Sequence, residues 1–471
     1  MSESALSLDQ SVPTQLADRH ARDGKPEHPE VGSVNSGNKE SSPSGGAATL
    51  ALASYLAQAT RFGLSVLVAQ VFGPAGRGAV ALISVLDEAS TTLFTAGVPP
   101  AAGYHAKTGK DSDAALMSAA LRFGLLAFPV TAAIAVAIGF LGLGSLEPAA
   151  RWFTVLLIAW TGIVNLPSLV AMSIMQAHRD LRSLAIYNML FGMVTLIVVA
   201  ALFLFGHLSI AWVAAGFVAG RLATAIYGAA KTALPRLRGT ATLRPLLHYG
   251  LRALPGTTGM LLNNRLDQLL IAPLVDLRAL GLYAVGAGTS FLPTVLAMSV
   301  ASSAFSSITH DGHLGRRGKA SMAIRRGLMV SGLSAVALAF LSPLLIPLVY
   351  GAAFKGAVVP TIVLLLSSVP WGGQIVARQC ANALGYPGFG SAGEVTGLLV
   401  TGVGLLIFVP MYGILGAAVV SLAAYSVRFA VTVVLLKGKG VTGIIPGRDD
   451  LVWLWHRVTN SLRRRVHVRC G

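Results

Sequence analysis

Residues 47–72 read AATLALASYLAQATRFGLSVLVAQVF, and residues 246–274 read LLHYGLRALPGTTGMLLNNRLDQLLIAPL. At helical rise, about 20 mostly apolar residues cross the hydrocarbon of a bilayer, so each run is long enough to span it. Near the middle of each sits an arginine, Arg61 in the first and Arg265 in the second. An arginine at that depth costs about 3 kcal/mol even on lenient insertion scales, so it faces a water-filled interior or a partner charge rather than lipid. The two arginines hold nearly the same place in two halves of an internal repeat. One per half points to a cationic chamber that receives an anion, and so to a transporter of a lipid-linked or sugar-phosphate cargo.

Composition supports a membrane protein. The 471-residue chain is 54% hydrophobic and only 12% charged, too little charge to cover a soluble protein of this length. Glycine is abundant, with 52 residues, as expected where helices approach closely in lipid. The net charge of +17 is not a nucleic-acid footprint, because the positive excess lies in short connections and the C-terminal tail. Residues 1–46 are instead slightly acidic, with four Lys/Arg against seven Asp/Glu. That segment is rich in Ser, Gly, Pro, Glu and Lys and reads as a disordered cytoplasmic tail. It lacks the basic stretch, apolar core and small-residue site of a cleaved signal peptide. Cys380 and Cys470 form no framework.

The apolar runs predict an all-α integral membrane protein of twelve spans in two parallel six-helix repeats. The spans fall near 47–72, 78–104, 113–142, 149–175, 181–206 and 208–232, then 246–274, 279–309, 321–350, 357–384, 389–410 and 412–437. This gives lobes over 47–232 and 246–437, a cytoplasmic linker over 233–245, and a basic cytoplasmic tail over 438–471. The repeat shows in VAQVFGPAGRGAVAL (68–82), whose Ala69, Gly78 and Ala81 return 203 positions later as Ala272, Gly281 and Ala284. Gly206, Ala211, Val213, Arg221 and Ala223 return at 207 as Gly413, Ala418, Val420, Arg428 and Ala430. Gln176-Ala177 resembles Asn382-Ala383 at an offset of 206. Six helices separate equivalents, so both halves share one orientation, with a site between them. Within 447–466, the run RDDLVWLWHRVTNSLRRRV spaces Leu451, Trp455, Val458 and Leu462 as one apolar helical face ahead of three arginines. It reads as an amphipathic helix on an anionic leaflet.

Individual charges admit two readings each. Arg61 and Arg265 either line the chamber or pair with carboxylates; a guanidinium offers a planar fork to phosphate oxygens. Asp267, two residues from Arg265, points to another face, and pairs with another helix or couples to an ion or proton. Asn263 shares the Asp267 face and, with Asn264, offers hydrogen bonds to sugar hydroxyls. Asp87 and Glu88 are adjacent, so both cannot face one cavity, and one is expected to neutralise a basic residue such as Arg61. Arg221 and Arg428 are repeat-equivalent and either line the cavity or serve structure. Arg122, Arg252 and Arg378 lie toward the cytoplasmic ends, to snorkel or to guide an anionic head into the mouth. Glu394, six residues beyond ANALGYPG, is expected to pair with a loop arginine. Prolines at 99, 129, 167, 255, 293, 343 and 370 can kink helices, and Pro255-Gly256 is the strongest hinge candidate.

The chain resembles the polysaccharide flippase family of the multidrug, oligosaccharidyl-lipid and polysaccharide exporter superfamily. The resemblance covers roughly 47–437. It rests on VFGPAGRGAVAL (71–82), HYGLRALPGTTGMLLNNRLDQLLIAPLVDLRALGLYAVG (248–286), LLIPLVYGAAFKGAVVP (344–360) and ANALGYPG (381–388). It implies a V-shaped pair of six-helix lobes that flips undecaprenyl-diphosphate-linked oligosaccharides outward at the plasma membrane, alongside glycosyltransferases or a polymerase. Lipid II flippases usually carry two further C-terminal helices, where this chain has a basic tail. No Walker loop, HExxH, nucleophile elbow or metal-spaced Cys/His cluster occurs, so neither an enzyme, a metal nor a cofactor is expected. The competing readings are a cation or drug antiporter of the same superfamily, a transport-degenerate scaffold for envelope assembly, and a membrane glycosyl-ligase. The antiporter would want a carboxylate-dominated chamber, and the ligase a large external loop.

Orientation follows from Lys/Arg asymmetry. With the N-terminus inside, the inner connections hold thirteen, from Lys107 through Arg326, against Arg77, Arg151, Arg278 and Lys355 outside. Reporters active only in the cytoplasm should therefore work when fused after Gly312 and after Gly438. Silence at either position would reverse the orientation.

Overall fold

The computed structural model describes residues 43–447 and Asp450, apart from 110, 142, 145, 208, 235–242 and 311–314. The tail expected over 1–46 lies outside the described residues up to 42. So do most of the linker expected over 233–245 and nearly all of the amphipathic segment expected over 447–466. No strand occurs among the described residues, as the uninterrupted apolar runs require: in lipid a helix satisfies its own backbone.

The helices are α1 (Pro43–Phe94), α2 (Val98–Lys107), α3 (Asp113–Leu141), α4 (Pro148–Ala159), α5 (Leu166–Ala177), α6 (Leu181–Leu204) and α7 (Ile210–Lys231). They continue as α8 (Leu243–Leu274), α9 (Leu277–His310), α10 (Arg316–Tyr350), α11 (Val358–Ala383) and α12 (Pro387–Lys437). Eight described helices are long and apolar enough to cross a membrane, or nine if α4 and α5, bent by 47° about a π-helical turn at Thr161–Asn165, form one span. The expected twelve is thus not fixed by length and apolarity. Two of the eight, Tyr55–Phe94 and Pro387–Lys437, run 40 and 51 residues, far beyond one crossing. Each contains a glycine with non-helical backbone, Gly73 at φ 64° and Gly413 at φ 57°. α8, with Arg252, Arg265 and Asp267, is absent from the eight. The span expected over 78–104 is interrupted at Ala96 and Gly97, whose positive φ angles separate the end of α1 from α2.

The repeat is written in the backbone as well as in the residues. Gly206 and Gly413 both take positive φ before the last helix of their halves. Ala177 and Ala383 both end helices, and the positive φ two residues later falls on Arg179 in one half and Gly385 in the other. A left-handed arginine costs about 1–2 kcal/mol, so it is the turn that is repeated, not the residue suited to it.

Where the halves meet, the contact is reciprocal. A Cβ on Gly78 would overlap the Leu277 carbonyl, and a Cβ on Gly281 would overlap the Pro74 carbonyl. Gly281 and Leu277 are the repeat partners of Gly78 and Pro74, so each half presents the same patch to the other, as at a two-fold axis. Around this crossing the apolar core is shared: Leu64, Val68 and Ile83 of the first half pack with Ile271, Tyr283 and Ala417 of the second. Ala69 joins Val285, Ile346, Tyr350 and Phe354 beside it. At the opposite end the cores separate. Val98, Leu116, Leu166 and Ile174 form one, and Ile308, Ile324, Val376 and Cys380 another. α8 belongs to both. Leu246 packs into the first half's core and Gly250 abuts the Ala96 and Gly97 carbonyls, whereas Ile271 lies in the shared core. Pro255 stands between these two attachments.

Replacing Gly281 with Val should destabilise the detergent-purified protein by about 1–3 kcal/mol or more, because the obstructing atom is backbone and cannot rotate away. The lowered thermal midpoint checks it. Gly288→Val in the same helix, with open space around its Cβ, is the control.

Candidate functional site: charges at membrane depth

A charge taken into low dielectric needs a partner, and the repeat-equivalent arginines each have one. Arg221 on α7 donates from Nε and Nη2 to Asp87 Oδ2 on α1, with Nε at 3.2 Å, and its guanidinium lies 4.7 Å from the Phe191 ring centroid. Asp87 is 3% exposed, and its Oδ1 has no hydrogen-bond partner among the described residues. Arg428 is 4% exposed and donates from Nη2 to Glu394 Oε2, both residues on α12. Gly397 makes the room, since a Cβ there would overlap the Arg428 side chain. The Arg428 guanidinium lies 5.2 Å from the Tyr425 ring, on which Trp371 stacks at 5.0 Å.

The carboxylates come from unrelated places in the repeat. Asp87 lies on the second span of the first half, and Glu394 on the fifth of the second. Glu394 also receives Asn263 Nδ2 at 2.9 Å and has Arg378 Nη1 at 3.8 Å. Its partners are thus helical, not the loop arginine expected. Asp267 is 8% exposed and has no cationic partner within salt-bridge distance among the described residues. It accepts from Tyr283 Oη, and Tyr283 Oη lies 3.1 Å from Ser421 Oγ. Asn263 and Asp267 are therefore both engaged inside the second half.

Three charges stand apart from these buried pairs, on the helices where the halves face each other. Arg265 Nε on α8 donates to Glu88 Oε2 on α1 at 2.9 Å, with side chains 37% and 47% exposed. Arg61 is exposed and donates to Gln58 Oε1, one turn earlier, at 3.1 Å. It lies within electrostatic range of Glu88, Arg265 and Arg221. Among the described residues no carboxylate lies within salt-bridge distance of Arg61. Neither Asp87 nor Glu88 is its direct partner, because Arg221 and Arg265 have taken them. The cluster therefore holds two cations and one anion. Charges this exposed at membrane depth call for water or a further partner beside them.

Asn264 is half-buried next to Arg265, and Arg252 is exposed near the start of α8. Arg122 is half-buried, with Nε 3.4 Å from the Ser118 carbonyl of its own helix. Sequence reasoning missed the ring partners Phe191, Tyr425 and Trp371 and the Tyr283 contact. One signal was present: apart from Asp113 at the edge of its run, Asp87 and Glu88 are the acids within the first half's apolar runs, and Asp267 and Glu394 those within the second. An arginine in each half had to draw on these.

Comparison with known proteins agrees with this architecture. The family model described as polysaccharide biosynthesis protein matches residues 67–359, more than half the chain. The chain belongs to this family. No curated protein matches it in sequence. The lipid II flippase MurJ, in an inward closed conformation, is similar at 17% identity and TM-score 0.64, over 82% of this chain and 87% of that one. An inward-facing multidrug resistance MATE transporter of the MOP superfamily is similar at 13% identity and TM-score 0.66, over 83% and 94%. An outward-facing one gives 16% identity and TM-score 0.58, over 84% and 95%. The family member thus has the two-lobed fold of these membrane transporters.

Removing one member of a buried pair should be costly. Asp87→Ala leaves Arg221 uncompensated, and about 3–5 kcal/mol of stability should be lost. Asp87→Ala with Arg221→Met should recover most of it, read as thermal midpoints in one detergent.

Proposed function

We propose that this protein is a flippase that carries an anionic lipid-linked oligosaccharide or polysaccharide precursor from the cytoplasmic to the outer leaflet of the plasma membrane. The observation that carries the reading is the Arg61–Arg265–Glu88 cluster, a net positive and exposed group on facing helices of the two halves. Membership of a polysaccharide biosynthesis family supports a glycan cargo, and the fold supports transport rather than catalysis. A diphosphate leaving water for this cluster keeps charge-assisted contacts and avoids most of its desolvation penalty. An antiporter of cationic drugs would meet repulsion at Arg61.

Twelve spans follow if the two longest helices divide at Gly73 and Gly413, the bent pair counts once and α8 counts as a span. With both termini cytoplasmic, the shared core at the Gly78–Gly281 crossing lies toward the outer face, and the separate cores toward the cytoplasm. The cleft is then closed outside and entered from inside. Rocking about the glycine crossing would open it outward, with α8 bending at Pro255 because its two ends are held by different lobes. Arg265 and Glu88 belong to different lobes, so their bond must lengthen or break as the lobes move. A diphosphate competing for Arg265 would release Glu88 and favour that movement. Arg122, Arg252 and Arg378 are read as the cationic approach to the inner mouth, and Arg221 and Arg428 as charges that fix the cleft walls. Glycosyltransferases or a polymerase of the same pathway are the partners this reading calls for.

Arg61→Ala and Arg265→Ala should each reduce glycan export at least about tenfold at unchanged membrane levels, as expected for loss of one charge-assisted contact. Arg61→Lys should restore export partly if attraction alone matters, and poorly if the planar fork is needed. Undiminished export by the double alanine variant would remove the cationic cleft from the mechanism.

A further inference from the structure

α10 ends at Tyr350 beside the first half, at the end of the molecule where the Gly78–Gly281 crossing joins the halves. The final carbonyls of a helix have no partner within it. One of them, that of Val349, accepts from Gln70 Nε2 on α1 at 2.9 Å. The next residue, Tyr350, is 6% exposed and turns its ring into the first half. It meets the Phe62 ring edge-on, with centroids 6.1 Å apart, and packs beside Ala69. Its hydroxyl lies within polar reach of Ser65 and within electrostatic range of Arg77. Arg77 in turn donates from Nε to Ser65 Oγ at 2.9 Å. Among the described residues no carboxylate lies within salt-bridge distance of Arg77. Behind the tyrosine, Gly351 at φ 99° turns the chain, and the buried Phe354 backs the ring at 5.7 Å.

This tie is found in one half only. At the repeat offsets of 203–207, Tyr350 corresponds to residues 143–147, LGSLE, which hold no tyrosine; Leu143 and Leu146 there are buried in the shared core. The glycine crossing is symmetric and made of backbone, whereas the second tie is one-sided and made of side chains. Its chemistry also differs from that of the buried ion pairs. Asp87–Arg221 and Glu394–Arg428 join opposite charges within a half, and breaking either strands a charge. Across the halves, a phenol meets a hydroxyl and a guanidinium, and an amide meets a carbonyl. Each such bond is worth little net, because water replaces it as the surfaces part. A seal that opens and recloses needs bonds of that kind.

We propose that Tyr350 is a positioning residue: a latch across the two halves whose hydroxyl, with the Gln70–Val349 bond, sets the fraction of molecules open at the glycine-crossing end. The inference rests on the rocking motion proposed above, in which this end is the outer mouth of the cleft.

The test uses the full chain in liposomes, with Cys380→Ala and Cys470→Ser as background. Spin labels are placed at Glu147→Cys and Lys355→Cys, exposed positions on the α3–α4 and α10–α11 connections of different halves. Double electron–electron resonance reads the distance between them. Labels at Glu147→Cys and His207→Cys, both in the first half, give the control distance. Tyr350→Phe keeps the ring and removes the hydroxyl, and it should raise the separated population about fivefold, as loss of one net hydrogen bond implies. Gln70→Leu should act in the same direction, and the two changes together more than either. Tyr412→Phe, at an exposed tyrosine of α12, should leave the distances as they are. The latch is overturned if Tyr350→Phe and the double variant keep the parent distances. It is equally overturned if the control pair shifts as far as the cross-half pair, since the hydroxyl then supports the structure of one half and not the seal. Separation of the halves without glycan export by parent or variant upholds the latch and sets aside the flippase reading. Should Tyr350→Phe fail to fold, Gln70→Leu, at an exposed position, carries the test on the same criteria.

Discussion

A charge inside a bilayer must be paired or wetted, and the pairing of the ionisable side chains within the apolar helices follows from that requirement. Asp87 with Arg221, and Glu394 with Arg428, remove the largest penalties within each half, and the aromatic rings beside the two guanidinium groups shield them further. Once those acids are committed, Glu88 is left for Arg265, and Arg61 has no carboxylate at salt-bridge distance among the described residues. The net positive charge of the Arg61–Arg265–Glu88 group is therefore a remainder: it is what survives after structural pairs have taken the available carboxylates.

A second constraint acts on the backbone. Two helices can cross at backbone contact only where neither carries a side chain, and Gly78 and Gly281 satisfy this from both directions at once. The consequence reaches beyond packing. A crossing made of backbone, with a shared apolar core around it, joins the halves broadly at one end, while at the far end, among the described residues, it is the start of α8 that packs across. α8, a helix of the second half, starts in the first half's separate core and ends in the shared one. Pro255 falls between these two attachments, where it removes one backbone hydrogen bond from the helix.

The legible part of the site was its inventory. Arg61, Arg265, Asp87, Glu88, Asp267, Glu394, Arg221 and Arg428 stand out because ionisable residues inside apolar runs are expensive and few. Their pairing was not legible. Arg221 finds its acid 134 residues earlier, and Glu394 gathers Asn263, Arg378 and Arg428 from three helices. Nothing in the spacing of a single helix encodes that choice. Ring partners such as Phe191 and Tyr425 are hidden for another reason: aromatic residues in an apolar span read as core, and only a neighbouring guanidinium makes them more.

What the sequence by itself determined was the solvent, the element type and the two-fold repetition. Apolar runs of span length cannot be anything but helices in lipid, and residues recurring at 203, 206 and 207 positions imply two like-oriented halves. Tertiary structure decided where the long helices break, at Gly73, Gly97 and Gly413, since a glycine permits a left-handed turn without compelling it. It also decided which carboxylate meets which arginine. Such matches depend on side chains brought within a few ångströms by packing of the whole bundle, and distance in space is the one quantity that order along the chain does not contain.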